Sequence, residues 1–137
     1  MCREMISGYG PDTEQGIAMF FFRKSQKAGL SPQDAVQGAR EGSVTVIDVR
    51  EHKELAASGK AAGALHIPLG RLQDMADPRH PDFHAGLKQD GRIALYCASG
   101  ARSSSARRML VGLGYDDVHN IGGLGHWVSA GGAVERV

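Results

Sequence analysis

Long apolar runs are scarce in this chain of 137 residues, as are cysteines and any surplus of charge of one sign. The run Ile17 to Phe22 holds six apolar residues, whereas a helix needs ~20 to cross a bilayer, so no membrane span is predicted. Near the start there is also no succession of basic region, apolar core and small-residue cleavage site that a secretory signal requires. The two cysteines, Cys2 and Cys97, lie far apart and show neither a disulfide framework nor zinc spacing. A reducing compartment such as the cytoplasm is therefore expected. With 16 Lys and Arg against 15 Asp and Glu, the formal charge is +1. That leaves no global field to argue for nucleic acid or a membrane surface as partner. A small molecule or a local protein contact is expected instead, with the chain a monomer or a weak dimer. No internal repeat, low-complexity tract or linker is visible, and the length suits one domain with one core.

What is present alternates between strand-like and helix-like segments. Residues 1–28 read as an extension, either a helix or a partly disordered segment, whose Phe20, Phe21 and Phe22 pack on the domain or meet a partner. From residue 29 a single α/β domain is predicted. Ser31-Pro32-Gln33-Asp34 is a helix start, with a capping serine, proline in the first turn and an acid three positions after the cap. That helix should run to about Arg40 and stop at Gly42. Val44 to Val49 and Leu65 to Ile67 read as strands. Short helices are expected over Glu51 to Ala57, Leu69 to Met75 and His126 to Ala130, the last preceded by a turn at Gly122 to Gly125. Residues 77–91 read as loop, and Val118 to Ile121 as the last strand. Such alternation implies a central parallel sheet with helices on both faces.

The most informative stretch is Arg92 to Ser103. Arg92 to Tyr96 is a compact apolar run suited to a buried parallel strand, and the apolar positions Ala106, Met109, Leu110 and Leu113 recur with the spacing of one helical face. Between strand and helix stand Cys97, Ala98, Ser99 and Gly100, small residues able to turn tightly and aim their amides inward. Cys97 would then sit at a helix N-terminus, where partial positive charge favours an anion. A thiol there ionises well below its ordinary pKa of ~8.5. Cys97 is the predicted nucleophile. Ala98, Ser99, Gly100, Ala101 and Arg102 are the predicted substrate-binding positions, mostly through their backbone. Because open α/β sheets place their sites beyond the carboxyl ends of strands, Asp48 and Arg50 are predicted to converge there. Together with Ser103 they are expected to support the loop, a strand-end ion pair being the alternative for Asp48 and Arg50. His80 and His84 lie four apart with Pro81 between them in a loop, and no metal site is read from them. Trp127 is read as a packing residue.

The segment Cys97-Ala-Ser-Gly-Ala-Arg102-Ser103 resembles the active-site loop of the rhodanese-like sulfurtransferases. Three further segments resemble that family in the same order: Val46-Ile-Asp48-Val-Arg50-Glu51, Gly59-Lys-Ala-Ala-Gly63-Ala-Leu-His-Ile-Pro68-Leu69, and Gly114-Tyr115 through Gly122-Gly-Leu-Gly-His-Trp127. The resemblance implies a rhodanese-like domain over 29–137. It also implies a sulfurtransferase that moves sulfane sulfur from a donor such as thiosulfate to cyanide or a thiol, through a persulfide on Cys97. Neither cofactor nor metal is implied. Two positions depart from the family's usual pattern: Ala98 stands where a basic residue often follows the cysteine, and Lys60 where a histidine is common. A less anionic donor than thiosulfate, or a persulfide on a partner protein, fits those departures. Related folds hold phosphate or arsenate in Cys-x5-Arg loops, and here only four residues separate Cys97 from Arg102, a smaller ring suited to one sulfur atom. A Cys-based phosphatase or arsenate reductase, and a non-catalytic regulatory module on the same fold, are the alternatives.

Overall fold

The computed structural model describes residues 29–137; the reading of residues 1–28 as an extension lies outside the described residues. Ser31 starts the first helix, α1 (Pro32–Glu41), as its residues dictate. Its Oγ accepts from the Asp34 N–H at 3.0 Å, and the Asp34 carboxylate accepts from the Ser31 N–H at 3.4 Å. The two bonds satisfy two of the amides that a helix start leaves open. Gly42 ends α1 in the left-handed region at φ 79°, which glycine adopts without a side-chain clash.

The other elements are β1 (Val44–Asp48), α2 (His52–Ser58), β2 (Lys60–Ala61), β3 (Leu65–His66), α3 (Leu69–Met75), β4 (Arg92–Cys97), α4 (Ala101–Gly112), β5 (Val118–Gly123), α5 (Leu124–Ser129) and β6 (Val134–Glu135). Strands β3, β1, β4 and β5 lie side by side in that order, all parallel. The first strand is thus central, and β4 separates it from the last one.

Alternation along β4 decides what reaches each face. Ile93, Leu95 and Cys97 point to a core shared with Leu72 of α3 and with Ala106 and Leu110 of α4. Ala94 and Tyr96 point to the opposite core, which contains Ala35 and Val36 of α1 and Trp127 of α5. The sheet is thereby covered on both faces, as expected, and Cys97 is committed to the α4 side. Trp127 packs in the core as read from the sequence, and its indole N–H donates to the Ala133 carbonyl at 2.7 Å.

Two features differ from the sequence reading. A small antiparallel ladder pairs β2 with β6, Lys60 opposite Glu135 and Ala61 opposite Val134; neither segment is long or apolar enough to announce a strand. Gly122 and Gly123, expected in a turn, belong to β5, and α5 begins directly after them at Leu124. Gly123 pairs with Cys97 across a register irregularity, and a Cβ at Gly123 would lie 2.2 Å from the Ala98 carbonyl oxygen. The missing side chain is what lets the cysteine loop lie against the end of β5.

Candidate active site

Strand β4 delivers Cys97 to the carboxyl end of the sheet, and α4 starts four residues later. Gly100 is the N-cap of α4 at φ 108°, a conformation that turns its own N–H back towards the strand end. That N–H donates to the Cys97 sulfur at 3.0 Å, and the Ser103 hydroxyl lies 3.4 Å from the same atom. Cys97 itself is fully buried, whereas Ala98, Ser99 and Ala101 form an exposed rim. Burial pushes the Cys97 thiol up, but the Ser103 hydroxyl and the backbone N–H groups of Ser103, Gly100 and Ser99 together outweigh it and bring the thiol down to about 7. Preorganised dipoles, which need no reorganisation when charge appears, do this work.

Ser103 has one hydroxyl proton and more than one acceptor. Its Oγ is 2.8 Å from Asn120 Oδ1 and 3.4 Å from both the Cys97 sulfur and the Gly122 carbonyl. The Asn120 oxygen also accepts from the Gly122 N–H at 2.9 Å. It therefore keeps a partner when the Ser103 proton swings to an ionised sulfur. The Asn120 amide Nδ2 donates to the Gly100 carbonyl at 2.9 Å, so one side chain of β5 secures both ends of the turn. On the far side, His126 Nδ1 accepts from the Gly123 N–H at 3.0 Å.

Arg102 does not point at the sulfur. Its two terminal nitrogens donate to Glu54 of α2 at 2.7 and 2.8 Å. The side chain of Arg102, expected among the substrate-binding positions, thus ties the loop to α2. Glu54 is held well below the usual carboxylate range, at about 2, first by the Arg102 hydrogen bonds and then by the Glu51 backbone N–H, against a smaller upward push from burial. Arg102 is raised, chiefly by Glu54, against burial, with the Cys97 charge adding to the rise.

For Asp48 and Arg50 the structure shows the alternative reading, the strand-end ion pair. They form a buried ion pair, with Arg50 Nη2 2.8 Å from Asp48 Oδ2, because the rest of the guanidinium is taken by Ser58 Oγ at 2.8 Å and the Gly59 carbonyl at 2.6 Å. Asp48 Oδ2 also accepts from the Tyr96 hydroxyl at 2.5 Å, and Tyr96 Oη in turn accepts from the Ala61 N–H at 2.8 Å. Tyr96, the residue before Cys97, thus links the pair to the strand that carries the loop. Burial pushes the Tyr96 phenol far up, and Asp48 adds to the rise.

Glu54, Asn120 and His126 escaped the sequence reading. Glu54 did carry a signal, since it follows Glu51 by three positions at a helix start and accepts the Glu51 N–H at 2.9 Å; that local role concealed the distant one. Asn120, a polar residue between His119 and Ile121 of β5, was the other available clue. Among the described residues no group of three or more His, Cys, Asp or Glu is arranged to hold a metal, and no helix is long and apolar enough to cross a membrane.

A parallel sheet whose β4 ends in a cysteine cradled by the start of the next helix defines a class of α/β domain built around one thiol. The chain belongs to the family described as Rhodanese-like domain, whose model matches residues 31–130. It is 34% identical over 101 residues to the thiosulfate sulfurtransferase GlpE of Pseudomonas entomophila, covering 73% of this chain and 84% of that protein. With the mouse thiosulfate sulfurtransferase/rhodanese-like domain-containing protein 3 it shares 29% identity over 92 residues, 63% of this chain but only 59% of that protein's length. Among solved structures, RPA3614 of Rhodopseudomonas palustris, a protein of unknown function described as a possible tyrosine phosphatase, superposes with TM-score 0.69 at 26% identity. The match covers 85% of this chain and all of that one.

Proposed function

We propose that the chain is a sulfurtransferase that carries sulfane sulfur as a persulfide on Cys97. The Cys97 thiolate attacks the outer sulfur of a donor, a bond forms between the two sulfurs, and the donor's own bond to that sulfur breaks with its electron pair leaving on the departing group. A thiophilic acceptor, cyanide or a thiol, then takes the outer sulfur and restores the thiolate. Two displacements replace one difficult transfer, and no cofactor is needed because the sulfur itself carries the group. Ser99, Gly100 and Ser103 supply the dipoles that hold first the thiolate and then the terminal sulfur anion, while Ala98 and Ala101 form the rim through which the donor approaches. Thiosulfate sulfurtransferase is the name of several relatives and makes thiosulfate the first donor to try. A reducing compartment such as the cytoplasm suits a catalytic thiol of this kind.

The observation that carries this reading is the Gly100 N–H and Ser103 hydroxyl directed at a buried Cys97 sulfur. A phosphatase reading needs an arginine free to clamp a tetrahedral oxyanion, and Arg102 is engaged with Glu54. The test is to incubate the purified protein with sulfane donors and follow its intact mass, then add cyanide and measure thiocyanate. Wild type should gain the mass of one sulfur atom and lose it to cyanide; Cys97→Ser should do neither while melting cooperatively. Hydrolysis of an aryl phosphate with no sulfur uptake from any donor would overturn the assignment.

A further inference from the structure

Ser103 is fully buried, so its hydroxyl proton has no solvent to turn to and three protein acceptors within reach. Asn120 Oδ1 stands at 2.8 Å, the Cys97 sulfur and the Gly122 carbonyl at 3.4 Å each. The backbone N–H groups that face the sulfur are fixed by the turn. The Ser103 O–H, by contrast, can leave the sulfur and return to it by rotation about one bond, with no heavy atom displaced. The competing acceptor is itself held still. The Gly122 N–H can only donate and lies 2.9 Å from Asn120 Oδ1, whereas the Gly100 carbonyl can only accept and lies 2.9 Å from Nδ2. Those two bonds fix which end of the Asn120 amide faces Ser103. An amide oxygen is a better acceptor than a neutral sulfur and a poorer one than a thiolate. The proton therefore follows the charge on Cys97.

Resting on the sulfur-transfer reading above, we propose that Asn120 is a positioning residue for the second displacement: it holds the Ser103 hydroxyl while Cys97 carries sulfur and yields it to the Cys97 sulfur as the acceptor takes the outer atom. In that step Cys97–S–S⁻ and R–S⁻ give Cys97–S⁻ and R–S–S⁻. The acceptor's bond to the outer sulfur forms, the S–S bond to Cys97 breaks, and its electron pair comes to rest on the Cys97 sulfur. The Ser103 proton stays on Oγ throughout and changes only the acceptor it faces. No oxidant or reductant enters. A donor already within 3.4 Å of the atom on which charge appears lowers the barrier without reorganisation of the protein. Asn120 Oδ1 keeps the Gly122 N–H as its partner once the hydroxyl has turned away.

The test isolates that half-reaction. Protein loaded with one sulfur is freed of donor and mixed with cyanide, and single-turnover formation of thiocyanate is followed in wild type, Ser103→Ala, Asn120→Asp and the double variant. Asn120→Asp keeps the size of the side chain at an exposed residue and offers a charged acceptor that retains the hydroxyl. Ser103→Ala should slow discharge by about tenfold, as for one donor lost from a charged group. Asn120→Asp should slow it by about tenfold or more in wild type, but by no more than about threefold in the Ser103→Ala background, where there is no hydroxyl to retain. The lost Gly100 tie and the added charge act in both backgrounds and cancel in that comparison. Asn120→Ala, run through the same cycle, should also slow discharge less when the hydroxyl is absent, which keeps the test open if the carboxylate is not tolerated. Factors that multiply in the folded variants, or a Ser103→Ala protein that discharges at the wild-type rate, would overturn the role of Asn120 and leave sulfur transfer standing. A wild type that takes up sulfur from no donor would instead sink the sulfurtransferase reading and this inference with it.

Discussion

Asn120 holds the turn of Gly100 in place: its Nδ2 donates to the Gly100 carbonyl at 2.9 Å from a strand twenty residues further along the chain. The Gly100 N–H is the shortest contact to the Cys97 sulfur, and it acts on the thiol together with Ser103. Asn120→Ala removes this bond and leaves the Gly122 N–H without its side-chain acceptor. A loss of about 1–3 kcal/mol in stability is expected, together with slower alkylation of Cys97 at pH 7. Urea unfolding and an iodoacetamide time course check the two effects separately.

The depressed thiol makes both reactivity and stability depend on pH. Alkylation of folded wild type should rise through a midpoint near 7, well before an unfolded control with its pKa of ~8.5. The unfolded chain binds more protons than the folded one between these values, so stability rises with pH there. The contribution is complete above ~8.5 and is lost as pH falls through about 7. Melting curves at pH 6 and pH 9 should show wild type gaining on Cys97→Ser at the higher pH. Ser103→Ala deletes the hydroxyl donor and should move the alkylation midpoint up; an unmoved midpoint would mean that the backbone amides suffice.

Tyr96 ties the buried acid to the small ladder. Tyr96→Phe leaves Asp48 and the Ala61 N–H each one partner short in the interior. The expected cost is about 1–3 kcal/mol for unsatisfied buried groups, with Cys97 alkylation little changed, because the sulfur lies on the opposite face of β4. Equilibrium denaturation compared with wild type measures it.

Gly123→Ala probes the close approach of β5 to the loop. Its backbone is extended at φ −120°, so the obstacle is steric rather than conformational. The added methyl meets the Ala98 carbonyl oxygen at 2.2 Å, which forces the loop outward. Destabilisation of about 1–3 kcal/mol is expected, as for other overpacked positions, along with a marked fall in Cys97 reactivity. Gly125→Ala, with open space around it, is the control.

Local chemistry was readable from the sequence wherever neighbours in the chain decide it. Ser31 and Asp34 cap α1 through bonds spanning three residues, Gly42 stops that helix, and the apolar run after Arg92 makes the buried strand that ends in Cys97. The short elements were harder. The pairing of β2 with β6 joins Lys60 to Glu135, 75 residues apart, and two-residue strands have no periodicity to detect. Asp48 and Arg50 could be placed together at a strand end, as loop support or as an ion pair, but where the guanidinium points depended on Ser58 and Gly59 closing around it.

By itself the sequence determined that a lone cysteine would follow a buried parallel strand, that small residues would let amides gather around it, and that a helix would begin there. Those outcomes rest on φ/ψ preference, side-chain size and hydrophobic period, all of which act over a few residues. Only the tertiary structure decided what becomes of the charges. Arg102 meets Glu54 across 48 residues, and the sheet order sets β5 with Asn120 beside β4. Contacts of that range exist only once the chain has closed on itself, because a side chain's partner is chosen by packing and not by its neighbours in sequence.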